Sequence, residues 1–199
     1  MQNEISVEKL VAGDRAEFAR LVDIYSGSIF RLGLKMLGNP QDAEDVLQNT
    51  FMNALMHLST FEGRSSVVTW LYRIATNEAL MLIRKRKPEI SIELEAQEGE
   101  AESIEDLKPT VFADWSGLPE DQLLSAEGKI LLDGAIASLP DSLRVVFLLR
   151  DIEGLSIKET AETLDLTETN VKTRLLRARM YLRERLSTYY AEHLQEEKR

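Results

Sequence analysis

Residues 156–179 read SIKETAETLDLTETNVKTRLLRAR, and this stretch decides the fold of the C-terminal part of the chain. Ser156 and Glu159 have the spacing of a capping box, in which a serine caps a helix and a glutamate three residues later bonds back to it. The first helix ends at a three-residue turn, after which Thr167 caps a second helix. Two short helices joined by such a turn predict a helix-turn-helix.

The second helix of this pair separates apolar from basic positions. At 100° per residue, one side carries an apolar core stripe, formed by Val171, Leu175, Ala178, Leu182 and Leu186. The opposite side carries Lys172, Thr173, Leu176, Arg177 and Met180. Lysine and arginine bond guanine edges, threonine bonds base edges, and leucine packs on thymine methyl groups in the major groove. Arg174 and Arg179 flank this set and suit phosphates. The pattern favours DNA binding over a merely solvated basic face.

The remainder of the chain predicts an all-α protein without strands. Two small helical domains, 1–88 and 122–199, are joined by a long acidic linker, 89–121. The predicted N-terminal helices are 7–12, a long helix that follows Asp14 and ends before Gly38, 41–58 and 67–86. Three or four helices follow the linker, at about 122–138, 141–152, 156–164 and 168–188. In the helix 41–58, we expect a buried stripe of Leu47, Phe51, Ala54, Leu55 and Leu58.

Composition and charge narrow the function. The chain has 199 residues, no cysteine and a formal net charge of −10. The absence of cysteine excludes a disulfide scaffold, cysteine-ligated zinc and a thiol nucleophile. Residues 1–88 carry a net charge of +1, residues 89–128 carry −11, and residues 129–199 are neutral. A negative net charge argues against binding to nucleic acid. Here that negative charge lies in the linker and not in the two helical domains. Without a signal peptide or an apolar run of about 20 residues, we expect a cytoplasmic protein without membrane insertion.

The helix 67–86 carries a second nucleic-acid pattern. One face bears Trp70, Arg73, Asn77, Leu80 and Arg84, and Lys85, Arg86 and Lys87 continue it. Aromatic rings stack on unpaired bases and cations neutralise the backbone, which is the chemistry of single-strand binding. The preceding loop, 61–66, contains Arg64 and suits a pocket for an extruded base. The alternative is that Trp70 is a core residue.

The helix 41–58 begins with three acids, Asp42, Glu44 and Asp45. Acids in the first turn of a helix stabilise it through the helix dipole. The same acids suit a metal site of a nuclease, or, with Asn49 on the face of Asp42 and Asp45, a polar docking surface for a basic partner. Composition does not decide between helix stabilisation and a docking surface. The metal site is disfavoured because no histidine is suitably placed to complete it.

Together these residues resemble the extracytoplasmic-function group of bacterial sigma factors. The N-terminal resemblance covers about residues 14–87, and its core is DAEDVLQNTF at 42–51 and TWLYRIATN at 69–77. The C-terminal resemblance covers about residues 136–186, with DIEGLS at 151–156 and VKTRLLRAR at 171–179. These stretches look like the second and fourth regions of the family, and the third region is missing, as is usual in this group.

The resemblance implies a factor that is not an enzyme, has no metal or cofactor, and gives core RNA polymerase its promoter specificity. The implied polymerase-docking residues are Asp42, Glu44, Asp45, Gln48 and Asn49. The implied residues for the melted −10 element are Arg64, Trp70, Arg73, Asn77, Arg84, Lys85, Arg86 and Lys87. The implied residues for the −35 duplex are Lys172, Thr173, Arg174, Leu176, Arg177 and Arg179. The implied partners are the clamp helices and flap of the polymerase, promoter DNA and an anti-sigma factor.

Two departures from the family pattern are visible. Met81 stands where members commonly carry an acid, so any contact of that carboxylate is absent here. Asp165 stands where the turn commonly has glycine, and aspartate tolerates a left-handed conformation, so the turn should survive.

The acidic linker gains a role from the resemblance, because the family's linker runs through basic surfaces of the polymerase that later hold RNA. We expect residues 89–121 to mimic nucleic acid there, with a simple tether as the alternative. Three other functions remain as rivals: a helix-turn-helix activator, a metal-dependent nuclease using Asp42, Glu44 and Asp45, and a helical adaptor that does not bind DNA.

Overall fold

The computed structural model describes residues 5–86 and 126–196, and these residues form helices and short connections with no strand. The helices are α1 Val7–Val11, α2 Arg15–Leu37, α3 Pro40–His57, α4 Val67–Arg86, α5 Ala126–Ala137, α6 Asp141–Phe147, α7 Ile157–Leu164 and α8 Glu168–Glu196. A 3₁₀ turn, Leu58–Thr60, follows α3, and a π-helical turn, Leu148–Ile152, follows α6. The all-α prediction is confirmed. The predicted linker and its two boundaries, residues 89 and 121, lie outside the described residues.

The N-terminal helices begin and end where the sequence supplies caps. The Asp14 carboxylate accepts hydrogen bonds from two backbone amides of the first turn of α2. Gly38 ends α2 with φ of 68°, a left-handed conformation that favours glycine. Asn39 then caps α3, and Pro40 occupies its first turn. Local chemistry therefore fixes the boundary between α2 and α3 to within a residue.

The core of the N-terminal domain lies between α2, α3 and α4. The α2 and α3 helices approach closely at Gly33, where a Cβ atom would lie 3.2 Å from the Cα of Ala43. Leu21, Ile29 and Leu71 are fully buried in this core. Burying one such side chain stabilises the fold by about 1.5–3 kcal/mol. The domain thus has a sizeable apolar core without disulfides or metal.

The predicted buried stripe of α3 is wrong at Leu55. Leu55 is 58% exposed. The buried side of α3 is centred on Val46, Thr50 and Ala54, each 0% exposed. The side chains on this side of α3 are small, so the neighbouring helices can approach it closely. Close packing, and not the hydrophobicity of each residue, therefore decides which side of α3 is buried. Leu55 lies instead with two methionines in an exposed apolar patch on α3, Met52, Leu55 and Met56.

The helix caps and the turn predicted for the C-terminal domain are present in the structure. The Ser156 hydroxyl accepts from the Glu159 amide at 3.1 Å, and the Glu159 carboxylate accepts from the Ser156 amide at 2.8 Å. Asp165 ends α7 in the left-handed region, at φ 55° and ψ 45°. The Thr167 hydroxyl accepts from the Asn170 amide at 3.1 Å and so caps α8. The helix-turn-helix of α7 and α8 is confirmed, and aspartate adopts the conformation expected of it.

The two domains are in contact. The α7 helix packs along α4, and α5 and α6 contact α2. The Tyr72 hydroxyl of α4 donates to Glu153 Oε2 at 2.5 Å, between the π-helical turn and α7. Burial and the Glu153 carboxylate raise the pKa of Tyr72. The sequence offered no signal for this contact, since the two residues are 81 positions apart.

Candidate nucleic-acid interface

The α8 helix separates a buried side from an accessible one, as its sequence predicts. The buried stripe consists of Val171, Leu175, Ala178, Leu182 and Leu186, at most 7% exposed. On the other side Lys172 and Leu176 are exposed, and Thr173, Arg177 and Met180 are half-buried. Because the core stripe holds α8 against its own domain, the polar side faces outward as a continuous surface. A helix held in this way presents its outer side to a partner, as the second helix of a DNA-binding helix-turn-helix does.

Arg179 and Lys172 of α8 lie beside acidic side chains. The Arg179 guanidinium donates to both carboxylate oxygens of Asp151, at 2.8 and 2.7 Å. These hydrogen bonds raise the pKa of Arg179. The Lys172 ammonium lies 3.9 Å from a carboxylate oxygen of Glu168, one turn earlier, and is largely exposed. The fork geometry of the first pair fixes α8 to the π-helical turn. Arg179 therefore positions the helix in addition to its predicted role as a DNA contact.

Trp70 on α4 is half-buried and not a fully buried core residue. Its ring lies 5.1 Å from the ring of Phe61, with an interplanar angle of 45°. The 61–66 loop thus begins with the ring of Phe61, which contacts Trp70. Sequence periodicity gave no indication of this role for Phe61. Arg64 in the same loop is exposed and lies 2.5 Å from Glu62. The loop and the start of α4 together form an aromatic and polar surface.

The cationic face of α4 continues from there toward its C-terminus. Arg73 and Asn77 are exposed one turn apart, and Arg84 and Lys85 are exposed in the last turn. The Arg73 guanidinium donates to the backbone carbonyl of Glu162 on α7. Arg73, Asn77 and Arg84 therefore lie on one accessible stripe, with Lys85 exposed beside it, and Arg73 is also engaged by the other domain. Lys87 lies outside the described residues.

The acidic face of α3 differs from its prediction at Asp42. Glu44, Asp45, Gln48 and Asn49 are exposed, as a docking surface requires. Asp42 is buried and forms an ion pair with Arg86 at the end of α4.

The pairing takes Asp42 out of the surface predicted for it, whereas Arg86 stays exposed, with 47% of its side chain accessible. A carboxylate beside a cation at a helix crossing stabilises that crossing, so Asp42 has a structural role between α3 and α4. The predicted polymerase-docking surface is therefore reduced to four residues.

No group of three or more histidine or acidic side chains in the described ranges is arranged to hold a metal ion. No helix in those ranges is both long enough and apolar enough to cross a membrane.

The chain matches two family models in the order that the sequence suggested. Residues 21–89 match Sigma-70 region 2, and residues 129–182 match Sigma-70 region 4. The chain is also 37% identical over 180 residues to the ECF RNA polymerase sigma factor SigW of Bacillus subtilis, an alignment that covers 90% of this chain and 94% of that protein.

The chain belongs to the ECF sigma factors. Region 2 of this sigma factor contains the acidic face of α3 and the cationic face of α4, and region 4 contains the helix-turn-helix. Sigma factors act in transcription initiation and are not enzymes, so the metal-dependent nuclease alternative is wrong.

Solved structures share the fold of this sigma factor. CnrH, in complex with the cytosolic domain of CnrY, is similar with a TM-score of 0.64 and 21% identity, covering 92% of this chain and 95% of that one. RpoE of Bartonella quintana, in complex with the anti-sigma factor NepR, is similar with a TM-score of 0.61 and 22% identity, covering 86% and 97%. The likeness extends over both domains.

Proposed function

We propose that this sigma factor binds core RNA polymerase and directs it to promoters by reading the −35 element as duplex with α8 and capturing the melted −10 element with α4. The observation that carries the proposal is the division of α8 into a fully buried apolar stripe and an accessible side bearing Lys172, Leu176 and Arg177. Such a helix offers guanine-bonding and methyl-packing groups together. Each domain alone presents a small surface, and joining two weak sites on one chain raises their combined affinity.

The −10 element would be held by the surface that begins at Phe61 and Trp70 and continues along α4. A flipped or unpaired base gains roughly 1–3 kcal/mol by stacking on an aromatic ring. Asn77 supplies an amide beside the aromatic pair, and Arg84 and Lys85 supply charge for the phosphates that follow. Double-stranded DNA offers no free base face, so this surface selects the melted strand.

Core polymerase would dock on the exposed face of α3. Glu44, Asp45, Gln48 and Asn49 lie on successive turns, and the apolar patch of Met52, Leu55 and Met56 continues them toward the C-terminal end of the helix. A polar row beside an apolar patch suits the clamp helices of the largest polymerase subunit, and methionine adapts to irregular partner surfaces. The C-terminal domain would bind the flap.

One further partner and a location follow from the same function. Because RpoE of Bartonella quintana, which has a similar structure, is in complex with the anti-sigma factor NepR, we propose that an anti-sigma factor binds this sigma factor. Because the polymerase acts on the chromosome, the protein works in the cytoplasm. The acidic linker, residues 89–121, stays a predicted nucleic-acid mimic, and neutralising six of its acids is expected to alter the ratio of abortive to full-length RNA.

Run-off transcription with purified core polymerase over a promoter library tests the proposal. The expected result is initiation at a subset of promoters that requires both the factor and core enzyme. The Lys172→Ala variant should relax the preference at the −35 element, and the Asn77→Ala variant should weaken promoter opening at an unchanged −35 preference. Absence of core-dependent initiation would end the proposal. Tight sequence-specific binding by the factor alone in a gel shift would favour the activator instead, and unchanged transcription by both variants would favour the adaptor.

A further inference from the structure

Three large apolar side chains of α3 are exposed and adjacent. Met52 is 59% exposed, Leu55 is 58% exposed and Met56 is 62% exposed. The buried side of α3 is formed by other residues, so these three contribute little to the core. Single exposed apolar side chains are common, whereas a contiguous group of them is typical of an interaction surface. Two of the three carry a thioether, and that chemistry distinguishes this patch from an ordinary apolar one.

The two methionines continue the polar face of α3 that is proposed to dock on polymerase. At 100° per residue, Met52 and Met56 lie within about 60° of Asp45 and Asn49 around the helix axis. The four residues form one row, about 16 Å long at 1.5 Å per residue. Asp45 and Asn49 are also exposed. A partner that lies along this row therefore covers both thioethers together with the carboxylate of Asp45.

The thioethers supply a chemistry that the rest of the docking face lacks. Because the chain has no cysteine, all of its sulfur atoms belong to methionines. A peroxide converts a methionine thioether to a sulfoxide. The sulfur attacks the outer peroxide oxygen, the O–O bond breaks, and the proton on the transferred oxygen passes to the departing hydroxide, which leaves as water. A flexible apolar side chain thereby becomes a polar, chiral one.

The methionines of the described residues differ in their access to an oxidant. Met36 is 3% exposed in the core, Met180 is half-buried on α8, and Met81 is 58% exposed on α4. Since oxidation requires access to the sulfur, a mild oxidant should modify Met52, Met56 and Met81 and spare Met36. Of the three exposed methionines, only Met52 and Met56 lie on the docking face of α3.

Sulfoxides on this row act against docking and not against folding. In the free protein both side chains already lie in water, so a polar oxygen there leaves the packing of the core unchanged. In the docked protein a thioether packs against an irregular apolar surface. A sulfoxide oxygen at the same place loses its hydrogen bonds to water unless the partner supplies a donor. Two sulfoxides one turn apart therefore weaken the docked state selectively.

We propose that Met52 and Met56 form an oxidation site that controls docking on core polymerase. The site rests on the proposed function, because it lies on the proposed docking face. A peroxide oxidises both thioethers of the free factor, the factor loses affinity for core polymerase, and transcription from its promoters falls. Methionine sulfoxide reductases reverse the change. Two thiols become a disulfide in that step, and the sulfoxide oxygen leaves as water.

Graded oxidation of the free factor tests the site. The full-length protein is treated with hydrogen peroxide, quenched with free methionine and purified before untreated core polymerase is added. Peptide mass spectrometry measures the sulfoxide fraction at each methionine, and titration measures the affinity for core polymerase. Thermal unfolding of the same samples reports on the fold. Each variant is compared with its own unoxidised form, so differences in initial affinity between variants do not enter.

Oxidation of both residues in the wild type is expected to weaken binding to core polymerase by about tenfold or more. Met36 should stay reduced and the unfolding curve should not move. Sulfoxide reductases for both epimers should restore the affinity. The double variant Met52→Leu, Met56→Leu should keep its affinity through the same treatment. The matched control is Met81→Leu, which removes a methionine of similar exposure from α4 and should lose affinity as the wild type does.

Three results would overturn the site. They are slower oxidation of Met52 and Met56 than of Met180, unchanged affinity when both residues are sulfoxides, and equal losses by the wild type and the double leucine variant. A charge reversal, Asp45→Lys, tests docking separately in the unoxidised protein and should weaken binding to core polymerase. If it does so while oxidation does not, only the oxidation site is wrong. If the unoxidised wild type does not bind core polymerase, the proposed function itself is wrong.

Discussion

The two helices proposed to read DNA, α4 and α8, differ in how much of their surface belongs to the core. The α8 helix buries a single stripe, from Val171 to Leu186, and leaves the other side outward. The α4 helix contacts α2, α3 and α7, and eight of its residues are buried, including Thr69, Tyr72 and Thr76. Its exposed residues are Arg73, Asn77, Met81 and the three cations of its last turn, Arg84, Lys85 and Arg86. In a helix that packs on one side only, the exposed residues can be predicted from the periodicity of the sequence. In a helix that packs against several neighbours, periodicity does not predict which residues are exposed.

The strongest test of this difference compares two adjacent leucines of α8. Leu175→Ala removes a side chain that is 6% exposed, and the loss of packing should lower the free energy of unfolding by about 2–5 kcal/mol. Leu176→Ala should change stability by less than about 0.5 kcal/mol and instead weaken binding of the −35 duplex. Thermal unfolding and duplex titration of both variants measure the two effects. Equal destabilisation would remove the distinction between the two sides of α8.

The corresponding test on α4 uses its aromatic pair. Trp70→Ala removes the ring that contacts Phe61, so capture of the −10 strand should weaken by about 1–3 kcal/mol for the stacked base. Trp70→Phe keeps an aromatic face and should retain most of the affinity. Anisotropy titrations with core-bound factor give both values, and unfolding curves check that each variant folds. If alanine and phenylalanine behave alike at this position, Trp70 serves only the core.

A smaller effect is expected at the capping box before α7. Ser156→Ala removes the side-chain cap of α7, so it should lower the free energy of unfolding by about 1 kcal/mol. Hydrogen bonds from the Ser156 hydroxyl and amide lower the pKa of the Glu159 carboxylate in the folded chain. Its folded pKa lies below its unfolded one, so this stabilisation is present at neutral pH and disappears as the pH falls through the acidic range below the ordinary value for glutamate.

Unfolding of wild type, Ser156→Ala and Glu159→Gln between neutral and acidic pH checks that sign. The wild type should lose its advantage over Glu159→Gln as the solution becomes acidic. An advantage that grows on acidification would contradict the capping box.

The smallest effect concerns the turn between α7 and α8. Asp165→Gly relieves the left-handed conformation but increases the entropy of the unfolded chain, so stability should change by less than about 0.5 kcal/mol. The β-branched control Asp165→Val, forced to the same positive φ, should be destabilised by about 1 kcal/mol or more. Chemical denaturation of the two variants measures the contrast. A large gain from glycine would mean that the turn is strained in the wild type.

Much of the molecule was predictable from local sequence because local chemistry decides it. The caps at Asp14, Asn39 and Ser156, the left-handed Asp165 and the core stripe of α8 each depend on residues a few positions apart. The stripe of α3 was not predictable in the same way, since the close approach of Gly33 and Ala43 rotates its buried side and leaves Leu55 exposed. The pairing of Arg179 with Asp151 and of Arg86 with Asp42 joins positions 28 and 44 apart.

The sequence by itself therefore determined the helices, their caps, the helix-turn-helix and the family, because hydrogen bonds within a turn and helical periodicity act over short separations. The concentration of the net charge in residues 89–128 is likewise a property of the sequence. Only the tertiary structure decided which predicted cations have carboxylate partners, which side of α3 is buried, and that α7 lies against α4. These features depend on contacts between distant residues, and such contacts exist only after the helices have packed.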